Sequence, residues 1–176
     1  MKAHAHAAWL TAAVLAALGG CSSDPGRGYS FESLYPQDVK TVAVPMWEVG
    51  QDVYRRELQT RLSEALVKRI EMDTPYKVTT AARADTELRG RIDVVSQRIL
   101  SYNPATGLPR EKELTVKVSF TWKDLRTGKV LVEQPHLVVA QAYITQPPLE
   151  SDFFQGSEKA VNEVARRIVE HLEAPW

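Results

Sequence analysis

From Leu114 to Lys123 the chain alternates without interruption. Leu114, Val116, Val118, Phe120 and Trp122 are apolar, and Thr115, Lys117, Ser119, Thr121 and Lys123 are polar. Successive side chains of a strand point to opposite faces, so a period of two describes a sheet with one buried and one wet face. Other parts of the chain must cover the buried face, and that requirement organises the reading of everything else.

The flanking segments supply partners for this strand. Thr86 to Leu100 reads as a long strand in which Leu88, Ile92 and Val94 alternate with Glu87, Arg89, Arg91 and Asp93. The apolar phase then moves to Val95 and Ile99, and a one-residue slip predicts a β-bulge near Val94–Val95. Ser101 to Arg110 holds Asn103-Pro104 and Thr106-Gly107 and reads as a hairpin loop longer than the minimum. Asp124 to Lys129 reads as a tight turn, with Gly128 suited to a left-handed position. Val130 to Ile144 returns as a strand, and Pro135 within it implies an edge or a bulge. Val39 to Met46 is a short β-branched strand ended by Pro45, and Tyr76 to Thr79 is another.

Helices cover the apolar face. Val53, Leu58, Leu62, Ala65, Leu66 and Ile70 recur at helical spacing, which predicts a helix from Asp52, as N-cap, to Glu71. Asp73-Thr74-Pro75 stops it. After a break at Gln146-Pro147-Pro148-Leu149, Ser151 or Asp152 caps a final helix. Its stripe is Phe154, Ala160, Val161, Val164, Ala165, Ile168, Val169 and Leu172. The expected fold is α+β: a two-layer sandwich with two helices packed on one face of a mostly antiparallel sheet of four or five strands. Residues 29–176 make one domain.

The N-terminus is compositionally different. Lys2 precedes an apolar run from Ala7 to Leu18, which is shorter than the ~20 residues a spanning helix needs. It reads as a secretory signal peptide over residues 1–20. Its end, Leu18-Gly19-Gly20-Cys21, resembles the bacterial lipobox, although Gly19 stands where Ala, Ser or Thr is commoner. The resemblance implies cleavage between Gly20 and Cys21 and acylation of the cysteine, the only one in the chain. Two or more acyl chains anchor a protein stably, whereas one myristoyl chain does so only marginally. Ser22, rather than Asp, after the cysteine favours the outer membrane. Residues 21–28 (Cys-Ser-Ser-Asp-Pro-Gly-Arg-Gly) form a flexible tether.

Composition excludes several activities. Lys+Arg and Asp+Glu both count 22 in 176 residues, so no net positive charge argues for nucleic acid. A single cysteine excludes an internal disulfide and a multi-thiolate metal site. His136 and His171 are far apart, with no HExxH spacing, and no metal or cofactor is expected. G-x-S-x-G, P-loop and G-x-G-x-x-G motifs are absent, so no catalytic residue stands out. What remains is a surface. Arg89, Arg91, Lys117 and Lys123 would share the wet face of paired strands, a basic area with few acids that reads either as a solvated face keeping the sheet soluble or as an anion-binding patch for a phosphorylated lipid or a partner. Tyr102, Leu108 and Pro109 would form an apolar hairpin tip beside it.

Several segments together resemble the lipopolysaccharide-assembly lipoprotein family, LptE. They are Gly28-Tyr29, Leu34-Tyr35-Pro36, Val39-Lys40-Thr41-Val42-Ala43-Val44-Pro45, Thr74-Pro75-Tyr76-Lys77-Val78, Ala84-Asp85-Thr86-Glu87-Leu88-Arg89-Gly90 and Phe120-Thr121-Trp122-Lys123-Asp124-Leu125-Arg126-Thr127-Gly128. The resemblance runs from Gly28 to Val132, and the final helix agrees in position only. It implies two helices on a four-stranded sheet and a lipid-anchored place on the periplasmic face of the outer membrane. It also implies a non-enzymatic role as a plug within a β-barrel partner, LptD, that assembles lipopolysaccharide at the cell surface. Basic residues near the hairpin tip contact lipopolysaccharide in that family. The matching residues here are Arg98, Arg110 and Lys112, with Tyr102 and Lys117 beside them, although Tyr102 to Leu108 itself carries no basic residue. Two other readings stay open: an auxiliary lipoprotein of an ABC-type envelope lipid transporter, and a periplasmic hydrolase, which would need a nucleophile–base pair.

Overall fold

The computed structural model describes residues 33–51, 53–145 and 151–173. The signal peptide, the Gly20–Cys21 cleavage point, Cys21, the tether, Asp52 and the Gln146–Leu149 break lie outside the described residues. The order is β1 (Thr41–Ala43), β2 (Glu48–Val49), α1 (Glu57–Asp73), β3 (Lys77–Val78), β4 (Thr86–Tyr102), β5 (Pro109–Asp124), β6 (Val130–Ile144) and α2 (Ser151–Glu170). One sheet runs β3-β1-β4-β5-β6, with β2 also on β4. The long ladders β4–β5 and β5–β6 are antiparallel, and the short ones made by β1, β2 and β3 are parallel. Two helices cover one face, the expected two-layer arrangement, and the sheet has six strand segments rather than four or five.

The alternation in β5 is realised fully: Leu114, Val116, Val118, Phe120 and Trp122 are buried. The bulge falls where the phase slips, with the β4–β5 register shifting between Ile92 and Val94. Pro135 has both expected properties. Its strand is the sheet's edge, and Pro135 and His136 stand opposite Ser119, between the pairs Val118–Leu137 and Phe120–Gln134. An edge or a bulge is where a residue lacking N–H costs no ladder bond.

The two hairpin turns share one design. Asp124 N–H donates to Lys129 O (2.8 Å), Gly128 N–H to Asp124 O (2.9 Å), and Arg126 N–H to the Asp124 carboxylate (2.7 Å). At the other end Asn103 N–H donates to Leu108 O (2.8 Å), Gly107 N–H to Asn103 O (2.8 Å), and Ala105 N–H to Asn103 Oδ1 (2.9 Å). Gly107 and Gly128 have φ of 68° and 76°, a region that penalises any side chain. The loop expected to exceed the minimum runs over residues 103–108 and is capped by the Asn103 side chain.

The helices meet the sheet through the expected stripes. Leu58, Leu62, Leu66 and Ile70 of α1 are buried, as are Ala160, Val161, Val164, Ala165, Ile168, Val169 and Leu172 on and just beyond α2. Each such large side chain contributes about 1.5–3 kcal/mol by leaving water. Gly156 brings α2 against β6, since a Cβ there would lie 2.6–2.8 Å from the Tyr143 ring. Arg61 donates to Ser157 Oγ (3.2 Å), tying the helices together. Phe154 departs from the stripe. It is half exposed and lies under the Arg61 guanidinium, 3.7 Å from its ring centroid.

The start of α1 also differs from expectation. The helix begins at Glu57, and Arg56 precedes it without a side-chain cap. Residues before it are held by a turn, Val53 N–H to Gly50 O (3.2 Å), and Gly50 N–H donates to Ile92 O (2.8 Å). Val53 is buried there, but in a loop. The unexpected strand β2 explains the shift, because Glu48 and Val49 extend the edge of β4 that β1 began. Between them the chain leaves the ladder at Pro45, which cannot donate. Trp47 then turns inward over Gly90 and packs at 6.4 Å from Phe120, its backbone N–H donating to Ser63 Oγ (3.1 Å).

Asp85 locks the parallel strand in place. Its carboxylate accepts the N–H groups of Lys40 and Thr41 (both 3.0 Å) and the Thr41 hydroxyl (2.9 Å). Those bonds, the one from Lys40 N–H foremost, hold its pKa below the usual carboxylate range.

Candidate functional site

The sheet face away from the helices is open. By register, Arg89 stands beside Thr121 and Arg91 beside Ser119 on β5, and Thr121 beside Glu133 on β6. Together with Glu48, Asp93 and Lys117 they line a shallow depression of about 680 Å³ between the two bulges. Its floor is hydroxyl-bearing because Ser119 and Thr121 occupy the polar phase of β5.

This face is not the basic surface with few acids that the alternation suggested. Arg89 binds Glu87 through two nitrogens (2.6 and 3.0 Å). Arg91 pairs with Asp93 (2.8 Å), and Arg98 pairs with Glu113 directly across the ladder (2.8 Å). Glu87 also stands opposite Lys123. Residues two apart on a strand share a face, so these carboxylates neutralise their neighbouring arginines. Lys117 is the exception. It lies between Val94 and Val138, with no carboxylate partner among the described residues.

The five expected contact residues do not converge. Arg98 and Lys117 are on the open face. Arg110 and Lys112 share the phase of Leu114 and so belong to the helix side, where Lys112 stands opposite Tyr143. Tyr102 is 60% exposed at the hairpin end opposite Pro109. Tyr102 and Arg110 are both near the turn that joins β4 to β5. Ile99, Leu100 and Leu108 are also exposed there, and Ile144 ends the neighbouring strand. The structure thus presents two separable surfaces: a charge-paired, hydroxyl-floored depression and an apolar hairpin end flanked by Arg110.

Other features went unread in the sequence. Tyr54 is 92% exposed in the loop before α1, and Arg55 beside it covers Phe153 at 3.8 Å. His171 packs edge-on to Phe120 at 5.8 Å, and its Nδ1 lies 2.7 Å from Arg167 O, which is a structural environment. Among the described residues no His, Cys, Asp and Glu cluster is arranged to hold a metal ion. Nor is any described helix long and apolar enough to cross a membrane.

Comparison with known proteins places this architecture. No curated protein sequence matches the chain. Among solved structures, a hypothetical protein from Chlamydia trachomatis shares the fold at TM-score 0.51 and 11% identity, over 76% of this chain and 98% of that one. A protein from Xanthomonas campestris does so at TM-score 0.51 and 14% identity, over 78% and 86%. The rare lipoprotein B of Shewanella oneidensis is 22% identical over 74% and 92%, at TM-score 0.46. The model of the LptE lipopolysaccharide-assembly family matches residues 39–174, which includes every described strand and both helices. This chain therefore belongs to the LptE family, a non-enzymatic lipoprotein family whose role is in lipopolysaccharide assembly.

Proposed function

We propose that this protein is anchored through acylated Cys21 to the periplasmic face of the outer membrane. There it plugs and supports an LptD-like β-barrel that places lipopolysaccharide at the cell surface. The family match across residues 39–174 carries this reading. The lipobox-like Leu18-Gly19-Gly20-Cys21 supports the anchor. Residues 1–20 would be removed, 21–28 would act as tether, and 29–176 would form the working domain.

The exposed end of the β4–β5 hairpin is the contact surface in this account. Tyr102, Leu108 and Arg110 offer apolar area with one exposed cation, suited to an acyl chain next to a phosphate or to a barrel wall. Lys117, with no carboxylate partner among the described residues, is the second cation available to an anion on the open face, and Lys112 stands on the helix side of β5. Arg98 contributes less directly, because binding an outside anion would compete with Glu113. Mass spectrometry of a gentle-detergent pull-down tests the partner. Recovery of an outer-membrane barrel supports it. Recovery of an ABC transporter or a lipid-shuttling protein instead would assign the chain to another envelope lipid transport system.

A further inference from the structure

Two side chains at the end of β6 reach across the sheet to the β4–β5 hairpin. Tyr143 is buried on the helix side. Its partner in the ladder is Lys112 of β5, yet its hydroxyl accepts a hydrogen bond from Gln97 Nε2 on β4. Gln97 itself pairs with Leu114. The tyrosine therefore lies across β5 and joins strands two spacings apart, about 10 Å. Its ring is fixed from the other side by α2, which bears on it at Gly156, where no Cβ fits. Phe153, three residues before Gly156, lines a hollow of about 180 Å³ together with Gln97 and Leu114. Thr145 makes the second reach. Its N–H donates to Arg110 O (2.9 Å), and its hydroxyl donates to Pro109 O. Thr145 is buried although β6 ends at Ile144.

We infer, on the reading of the hairpin end as the contact surface, that Tyr143 and Thr145 are positioning residues: they fix the direction of that end relative to α2 and so place Tyr102, Leu108 and Arg110. The hairpin needs such a hold. Ile99, Leu100, Tyr102 and Leu108 are exposed, so little apolar burial steadies it. A two-stranded ribbon held by its backbone ladder alone is marginally stable and twists readily. Tyr143 couples β4 to β6 and both to α2, while Thr145 grips the first residues of β5. The two ties act on opposite strands of the hairpin, Gln97 on β4 and Pro109 on β5, so together they restrain bending as well as separation. One neutral hydrogen bond contributes little to global stability, and its loss is felt where few other interactions compete. A contact surface works only when its supporting side chains hold it close to the productive geometry.

Tyr143→Phe and Thr145→Val delete the two hydroxyls and keep the ring and the branched carbon. The direct assay is amide hydrogen exchange of the full chain, read by mass spectrometry. Protected amides from Ile99 to Glu111 should exchange about two- to tenfold faster in either variant, the range expected for one lost hydrogen bond, while amides from Leu58 to Ile70 in α1 keep the parent rate. Gln97→Ala should reproduce Tyr143→Phe and add nothing to it in the double variant. Gln97→Glu, whose carboxylate can accept the Tyr143 O–H, should restore the parent rate. In the gentle-detergent pull-down, Tyr143→Phe and Thr145→Val should recover at least twofold less barrel, and Gln97→Glu the parent amount. Unchanged exchange in the hairpin, or equal acceleration of the hairpin and α1, would overturn the inference, the second because it describes general stabilisation. Full barrel recovery by variants whose hairpin exchanges faster would overturn it as well. A parent pull-down without any barrel would instead refute the proposed function, and the exchange comparison would still decide whether Tyr143 and Thr145 hold the hairpin.

Discussion

Replacing Gly90 by alanine is the sharpest test of how the fold is closed. A Cβ at Gly90 would lie 2.6 and 2.7 Å from Trp47 Cζ3 and Cζ2, and closer still to Cη2. The indole cannot swing away easily. Trp47 is 1% exposed and packs against Phe120, and its backbone is held by Ser63. Overpacking a core in this way costs about 1–3 kcal/mol. Lower entropy of the unfolded chain returns about 0.4–1 kcal/mol. The net expectation is a destabilisation of about 1–2 kcal/mol. In urea, with a slope of about 2 kcal/mol per molar, the midpoint should fall by about 0.5–1 M. The assay is urea unfolding of the compact unit that starts at Ser33, followed by Trp fluorescence. Trp47→Phe removes the offending ring atoms, so the double variant Gly90→Ala/Trp47→Phe should lose less than the sum of the two single losses. An unchanged or raised midpoint for Gly90→Ala, or strict additivity, would refute the placement of Trp47 on Gly90.

Other perturbations follow from the same structure. Hydrogen bonds from Arg166, reinforced by Arg167, hold Glu163 at a pKa of about 2 instead of 4.5. A depressed carboxylate stabilises above its unfolded pKa and loses that contribution as pH falls. Acid titration of stability should therefore show a loss between about pH 4.5 and about 2 that is smaller in Glu163→Gln. Gly128→Ala, at φ 76° with open space around it, should cost about 1–2 kcal/mol from backbone strain alone, measured as a urea midpoint. Cys21→Ser should move the protein from the membrane fraction to the soluble or signal-retained form, and an acylated, membrane-bound Cys21→Ser product would refute the anchor. Tyr102→Ala and Arg110→Ala should weaken co-purification of the barrel while leaving the urea midpoint within about 0.5 kcal/mol of the parent, as expected for exposed residues.

The parts of this fold that can be read without coordinates are those with a long period. β5 carries an unbroken alternation, α2 an apolar stripe, and the bulge in β4 a slip of phase. β2, with two residues, holds no period and leaves no alternation to read. The available signal was Gly90, since a glycine within a strand often marks a close approach, here that of Trp47. The start of α1 at Glu57 is hidden in the sequence for a related reason. Val53 is buried in a loop, and a buried apolar residue near a helix mimics its stripe. On the open face, strand parity grouped the arginines correctly. Their neutralisation depends on register across the ladder, as in Arg98 with Glu113, and on side chains two apart, as in Arg89 with Glu87. The division of Arg98 and Lys117 from Arg110 and Lys112 follows from the same parity, once the bulge fixes which phase of β4 meets which phase of β5.

Depletion of this protein, with surface lipopolysaccharide measured by labelling of intact cells, tests the central claim most directly. The account predicts that surface lipopolysaccharide falls while lipopolysaccharide accumulates inside the envelope, and that the parent gene restores it. Unchanged surface lipopolysaccharide after complete depletion would contradict a role in its assembly.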